Sequence, residues 1–78
     1  MAMTVKEYAE YMETTPAKAF MLMVKDSEYY VDGETEIVDD PEYDEDAQLW
    51  EVMLKDADGE TYIACVDDQL DPGNVFIM

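Results

Sequence analysis

Histidine and arginine are missing from this 78-residue chain, and it carries one cysteine, three glycines, three prolines and four lysines. Without histidine and with a lone thiol it has no ligand set for zinc. Nor has it a partner to activate a serine or cysteine nucleophile. Cys65 cannot form an internal disulfide, which fits a reducing compartment. No apolar run approaches the roughly 20 residues that span a bilayer, and the start lacks the charged stretch and cleavage site of a signal peptide. A cytoplasmic location is therefore expected. The scarcity of cations also argues against direct nucleic-acid binding, which needs a basic patch, and against an anionic membrane surface.

Acid is abundant instead: 21 Asp and Glu leave a net charge of −17. The charge is lopsided. Residues 1–26 hold four acids and three lysines, whereas residues 27–78 hold seventeen acids and only Lys55. Such self-repulsion opposes folding and projects a strong field, to which a basic surface is the natural complement. Disorder is not expected, because Trp50, six tyrosines, two phenylalanines and several apolar runs supply core material. The length allows a single domain, 1–78.

Thr4-Val5-Lys6-Glu7 has the form of a capping box, and Val5, Tyr8, Ala9 and Met12 recur at helical spacing. A helix is predicted from Val5 to Glu13. Thr15 suits an N-cap and Pro16 the first helical position, favouring a second helix through the apolar run 17–24 over the competing reading of a buried strand, which a short apolar run alone does not separate from a helix. A helix apolar on nearly all sides must be enclosed by the fold or by a partner, so 17–24 is expected in the core or in a homodimer contact. Asp32-Gly33 between Tyr29-Tyr30-Val31 and Glu34–Val38 predicts a two-residue hairpin. On it Tyr29, Val31, Glu34 and Glu36 would share a face. Residues 39–46 read as a loop. Leu49–Lys55 and Glu60–Asp67 predict a hairpin closed by Asp56-Ala57-Asp58-Gly59. Pairing Asp56 with Glu60 sets Trp50, Val52 and Leu54 against Val66, Ala64 and Tyr62. Residues 75–78 can return as a last strand. The predicted class is α+β: two short N-terminal helices on a four- or five-stranded antiparallel sheet.

The densest acidic stretch is Glu36, Asp39, Asp40, Glu42, Asp44, Glu45 and Asp46, seven carboxylates in eleven positions. Alternate residues of an extended chain lie about 6.6–6.8 Å apart on one side. Asp40, Glu42, Asp44 and Asp46 would then repeat at about two rises of a DNA strand, each about 3.4 Å. Glu34, Asp67, Asp68 and Asp71 extend the acid, and Tyr29 and Tyr43 add contact area beside it. The bland alternative is a solvated, charge-rich loop. Counted from Asp40, acids and amides also track calcium-loop positions. Glu45, however, stands where the bend requires glycine, and Pro41 follows the first ligand. No specific metal site or other cofactor is expected, only weak nonspecific association of the loop with divalent cations. Solvated carboxylates lack the cleft that would split their pKa values for acid–base work, and Cys65 reads as a packed, inert thiol. No enzymatic activity is expected.

In size, charge and absence of catalytic side chains, the chain resembles the small acidic inhibitors of phages and mobile elements, the DNA-mimic, anti-CRISPR and anti-restriction proteins. That resemblance implies a viral protein in the host-cell cytoplasm. It would occupy the basic nucleic-acid-binding groove of a target by protein–protein interaction. Two other readings compete with it. One is a protein-interaction module or accessory subunit that binds through 17–24, with acids for solubility. The other is a halophilic domain.

Overall fold

The computed structural model describes residues 4–67 and 74–78. Two helices precede a five-stranded antiparallel sheet, an α+β arrangement: α1 (Val5–Tyr11), α2 (Pro16–Lys25), β1 (Glu36–Ile37), β2 (Glu42–Asp44), β3 (Leu49–Lys55), β4 (Thr61–Asp67) and β5 (Val75–Ile77). Both helix starts follow from their caps. The Thr4 hydroxyl accepts from the Glu7 N–H at 3.0 Å and donates to the Glu7 carboxylate at 3.1 Å. The Thr15 hydroxyl accepts from the Lys18 N–H at 3.3 Å, with Pro16 leading the helix.

The first helix stops at Tyr11, short of the expected Glu13. Glu13 takes a left-handed conformation, φ 53°. The Thr14 N–H donates to the Ala9 carbonyl at 2.9 Å and the Glu13 N–H to the Glu10 carbonyl at 3.3 Å. This paired closure is the Schellman stop, normally built around glycine.

β3 and β4 pair in the register read from the sequence, Trp50 with Val66, Val52 with Ala64 and Leu54 with Tyr62. The Asp56 N–H donates to the Glu60 carbonyl at 2.9 Å, and Gly59 holds φ 86°. That positive φ is the left-handed position a type I turn with a bulge requires. β5 adds to β4, with Val75 opposite Val66.

The predicted 29–38 hairpin does not form. The Asp-Gly turn is present, with the Thr35 N–H donating to the Val31 carbonyl at 2.8 Å, but Tyr29 and Tyr30 carry no ladder. They belong to the exit from α2, where the Ser27 hydroxyl donates to the Val24 carbonyl and accepts from the Tyr29 N–H. The Tyr29 carbonyl is taken by the Tyr62 hydroxyl at 2.8 Å. β1 pairs with β3 instead, Ile37 opposite Leu54. The loop expected over 39–46 is likewise corrected, since residues 42–44 form β2 on the same edge of β3, Tyr43 opposite Trp50. The composition of 39–46 concealed a strand whose gain is aromatic: the Tyr43 and Trp50 rings lie 5.2 Å apart, and Trp50 stacks on Phe20 of α2 at 5.9 Å.

The core lies between the helices and one sheet face. Val5 and Ala9 from α1 and Ala19, Phe20, Met23 and Val24 from α2 meet Val52, Leu54, Ala64 and Val66. No polar or charged side chain is buried among the described residues. The apolar run 17–24 thus divides. Four of its residues face the core, while Lys18 and Leu22 are exposed and Ala17 and Met21 half-buried.

Candidate acidic interaction surface

Strand alternation sends the sheet carboxylates to one side. Since Trp50, Val52 and Leu54 face the helices, the register puts Glu51 and Lys55 on the opposite face, with Glu42 beside Glu51, Glu36 beside Lys55, and Asp44 and Asp67 flanking Leu49. Every acid within a described strand (Glu36, Glu42, Asp44, Glu51 and Asp67) therefore lies on the face away from the helices. The apolar residues of that face are Leu49, Met53, Ile63, Cys65 and Phe76. Glu42 directly opposes Glu51, a cross-strand like-charge pair that destabilises the sheet.

Between β1 and β2 the edge bulges outward. Four residues, 38–41, span what two residues of β3 span, so Ile37 pairs with Leu54 while Glu42 pairs with Glu51. Pro41, which has no N–H, sits in the bulge. Its neighbours satisfy the ladder by other means: the Val38 N–H donates to the Met53 carbonyl at 3.0 Å, and the Asp39 carboxylate accepts from the Met53 N–H at 3.3 Å. Asp39, Asp40, Glu42 and Glu51 ring a cavity of about 130 Å³ floored by Met53 and Ile63.

The turn after β2 is held by Asp44, whose carboxylate accepts from the Asp46 N–H at 3.0 Å and the Ala47 N–H at 3.2 Å. Gln48 closes it with φ 55°. The anticipated even row Asp40, Glu42, Asp44, Asp46 is therefore broken. Glu42 and Asp44 share a strand face, Asp40 lies in the bulge, Asp46 lies in the turn, and Asp44 is a turn cap. Asp56 plays the same part in the β3–β4 turn, accepting from the Asp58 and Glu60 N–H groups, each at 2.9 Å.

The other anticipated residues distribute as follows. Glu34, Glu36, Asp39, Asp40, Glu42, Glu45 and Asp46 are all exposed. Glu34 belongs to the 31–35 turn, so Tyr29, Val31, Glu34 and Glu36 do not form the shared face expected of a hairpin. Tyr29 is half-buried behind α2. Tyr43 points to the helix side of the sheet, opposite in sense to Glu42 and Asp44. Asp67 ends β4, and Asp68 and Asp71 lie outside the described residues. Glu51 was missed as a site residue. Its partner Glu42 lies in a segment read as loop, so their pairing had no visible register.

The surface is a sheet edge with seven carboxylates between residues 36 and 46. Its paired part runs from Glu36, opposite Lys55, to Asp44, opposite Leu49, and holds five of the seven along about 20 Å at strand rise, over which one DNA strand places about six phosphates. Among the described residues, no three carboxylate or thiol side chains converge as a metal site requires. The calcium-like spacing runs across the β2–β3 hairpin, where Glu42 and Glu51 are ladder partners. The Cys65 thiol is pushed up to about 11, by burial first and by the Glu51 charge second, which removes the thiolate needed for nucleophilic work. Among the described residues no helix is long and apolar enough to cross a membrane. Comparison with family models, with curated proteins and with solved structures found no match to this chain.

Proposed function

We propose that this protein is a non-enzymatic inhibitor that lays its acidic sheet edge into the basic nucleic-acid-binding groove of another protein. The observation that carries this reading is the β1–bulge–β2 edge, whose carboxylates run at about the linear density of phosphates on a DNA strand. The Glu42–Glu51 pair supports it, since stability alone would remove one of the two charges. Rigidity matters as much as charge. Asp39, Asp44 and Asp56 tie their turns to the backbone, so the array is presented by a folded support and little ordering entropy is lost on binding. Charge raises the association rate, and that advantage fades with salt. Apolar atoms around Met53 and Ile63 extend the residence time, because exposed ion pairs alone contribute little.

The test uses the heparin-binding fraction of a candidate host lysate, passed over the immobilised protein and eluted with a salt gradient. The protein is expected to retain a basic nucleic-acid-binding protein that duplex DNA or RNA also displaces. A variant reversing Glu36, Asp40, Glu42 and Asp46 to lysine should retain none while unfolding at the wild-type midpoint or above. Asp44 is left intact because it caps a turn. Capture that survives the reversal, or that nucleic acid cannot compete, would overturn the reading.

A further inference from the structure

The helix layer is nearly neutral where the sheet edge is acidic, with four acids against three lysines in residues 1–26. Three of the four lysines lie in or beside its helices, Lys6, Lys18 and Lys25. Along the outer side of α2 runs an open groove of about 450 Å³, bordered by Ala17, Met21, Leu22 and Pro41, with Lys18 and Lys25 and no carboxylate in its lining. The two lysines are seven residues apart, two helical turns or about 10.5 Å. Neither forms an ion pair among the described residues. On the neighbouring α1 the outward side is complementary. Tyr11 is 75 % exposed and Met12 46 %, and Tyr11 is flanked by Glu7 and Glu10, four and one positions before it. One helix thus offers a lysine-bordered apolar groove and its neighbour an acid-bordered aromatic knob.

We infer that the helix layer is a self-complementary surface on which two copies form a two-fold dimer, α1 of each copy docking its Tyr11 side in the α2 groove of the other. A two-fold interface must present both halves of the complement on one surface, and α1 and α2 lie side by side in each copy. Repulsion selects the same face. Residues 27–78 carry sixteen of the seventeen net charges, so the helix layer is where two such chains can approach with their acidic sheet edges turned outward. Docking covers Tyr11, Met12 and Leu22, which are otherwise among the more exposed large apolar side chains. The groove meets the acidic edge at Pro41 but has none of its carboxylates in the lining, and the substitutions that test the dimer leave that edge untouched, so the inference stands or falls separately from the inhibitor reading.

Sedimentation equilibrium at physiological ionic strength, from low-micromolar to millimolar protein, tests it. The wild type should reach a dimer, and added salt should strengthen it, because the long-range repulsion between two polyanions is what screening removes. The double variant Lys18→Glu/Lys25→Glu, and separately Glu10→Lys, should each weaken dimerisation by about tenfold or more. An equimolar mixture of the two variants should associate as a heterodimer more tightly than either variant alone, since one docked pair is then the wild-type one and in the other the reversed charge at position 10 faces the reversed charges at 18 and 25. All three side chains are surface-exposed, and circular dichroism and urea midpoints report that the variants remain folded. A wild type that stays monomeric throughout would overturn the proposal. So would a dimer indifferent to these substitutions, or a mixture no tighter than its components; binding only to an unrelated protein through this groove would do the same.

Discussion

Individual acids divide into those that hold the fold and those that only charge it, and charge alone does not tell them apart. Asp39 and Asp44 accept backbone N–H groups that the bulge and turn would otherwise leave unpaired. Glu42 accepts none and faces Glu51 across the ladder. Urea denaturation of single variants should separate the two kinds. Asp39→Ala or Asp44→Ala should lower stability by about 1–2 kcal/mol, the low end for hydrogen bonds to charged acceptors because both carboxylates are exposed to solvent. Glu42→Gln should raise it by a few tenths of a kcal/mol through relief of like charge, about 0.2–1. Cys65 makes a second residue-scale prediction. Its raised pKa means that between about 9 and about 11 the folded state holds a proton that the unfolded state has lost. Its contribution to stability is therefore complete below pH 9 and disappears as pH rises through 11. The wild type should lose more stability than Cys65→Ala over that window, and its thiol should alkylate at pH 8 at least about tenfold more slowly than a free cysteine.

Helices and strands were unequally visible in the sequence. The caps at Thr4 and Thr15 and the register of β3 with β4 are local chemistry, a hydroxyl before a free N–H or a period-two pattern around an Asp-Gly turn. The structure carries each of them. The helix overshoot at Glu13 has a local cause too, a left-handed stop occupied by a residue that resists it. Glu13→Gly should therefore raise the urea midpoint by an amount equivalent to about 0.5–1 kcal/mol, the steric relief offset in part by the freer unfolded chain. β1 and β2 were not legible. Their reward comes from β3: Ile37 covers the core beside Leu54, and Tyr43 covers Trp50. A segment of alternating acids and one tyrosine acquires strand character only once that tryptophan lies alongside. The false hairpin at 29–38 failed for the converse reason, because Ser27 and Tyr62 claim its first arm.

At the scale of the molecule, the acids of the described strands all lie on the sheet face away from the near-neutral helices. The charge is borne at the cost of self-repulsion, so salt should stabilise the isolated protein and weaken its grip on a basic target. Between about 0.01 M and about 1 M salt the Debye length falls from about 30 Å to about 3 Å. The melting temperature should rise over that range by at least about 4 °C, roughly 1 kcal/mol for a domain this small. Calorimetry checks this. Cooperative melting at the lowest salt is expected, and a chain that folds only in molar salt would instead favour the halophilic reading.

Composition and local pattern were enough to settle the class of fold, the two helix starts and the central hairpin, because each depends on residues within a few positions of one another. They were also enough to say that the exterior would be anionic, since so many carboxylates have nowhere else to go. Which side receives them was decided by packing: once Trp50, Val52 and Leu54 turn to the helices, alternation sends Glu36, Glu42, Glu51 and Asp67 the other way. The bulge at Pro41, the ring contact of Tyr43 and the opposition of Glu42 to Glu51 follow from contacts between distant parts of the chain. Those contacts exist only after the sheet has closed.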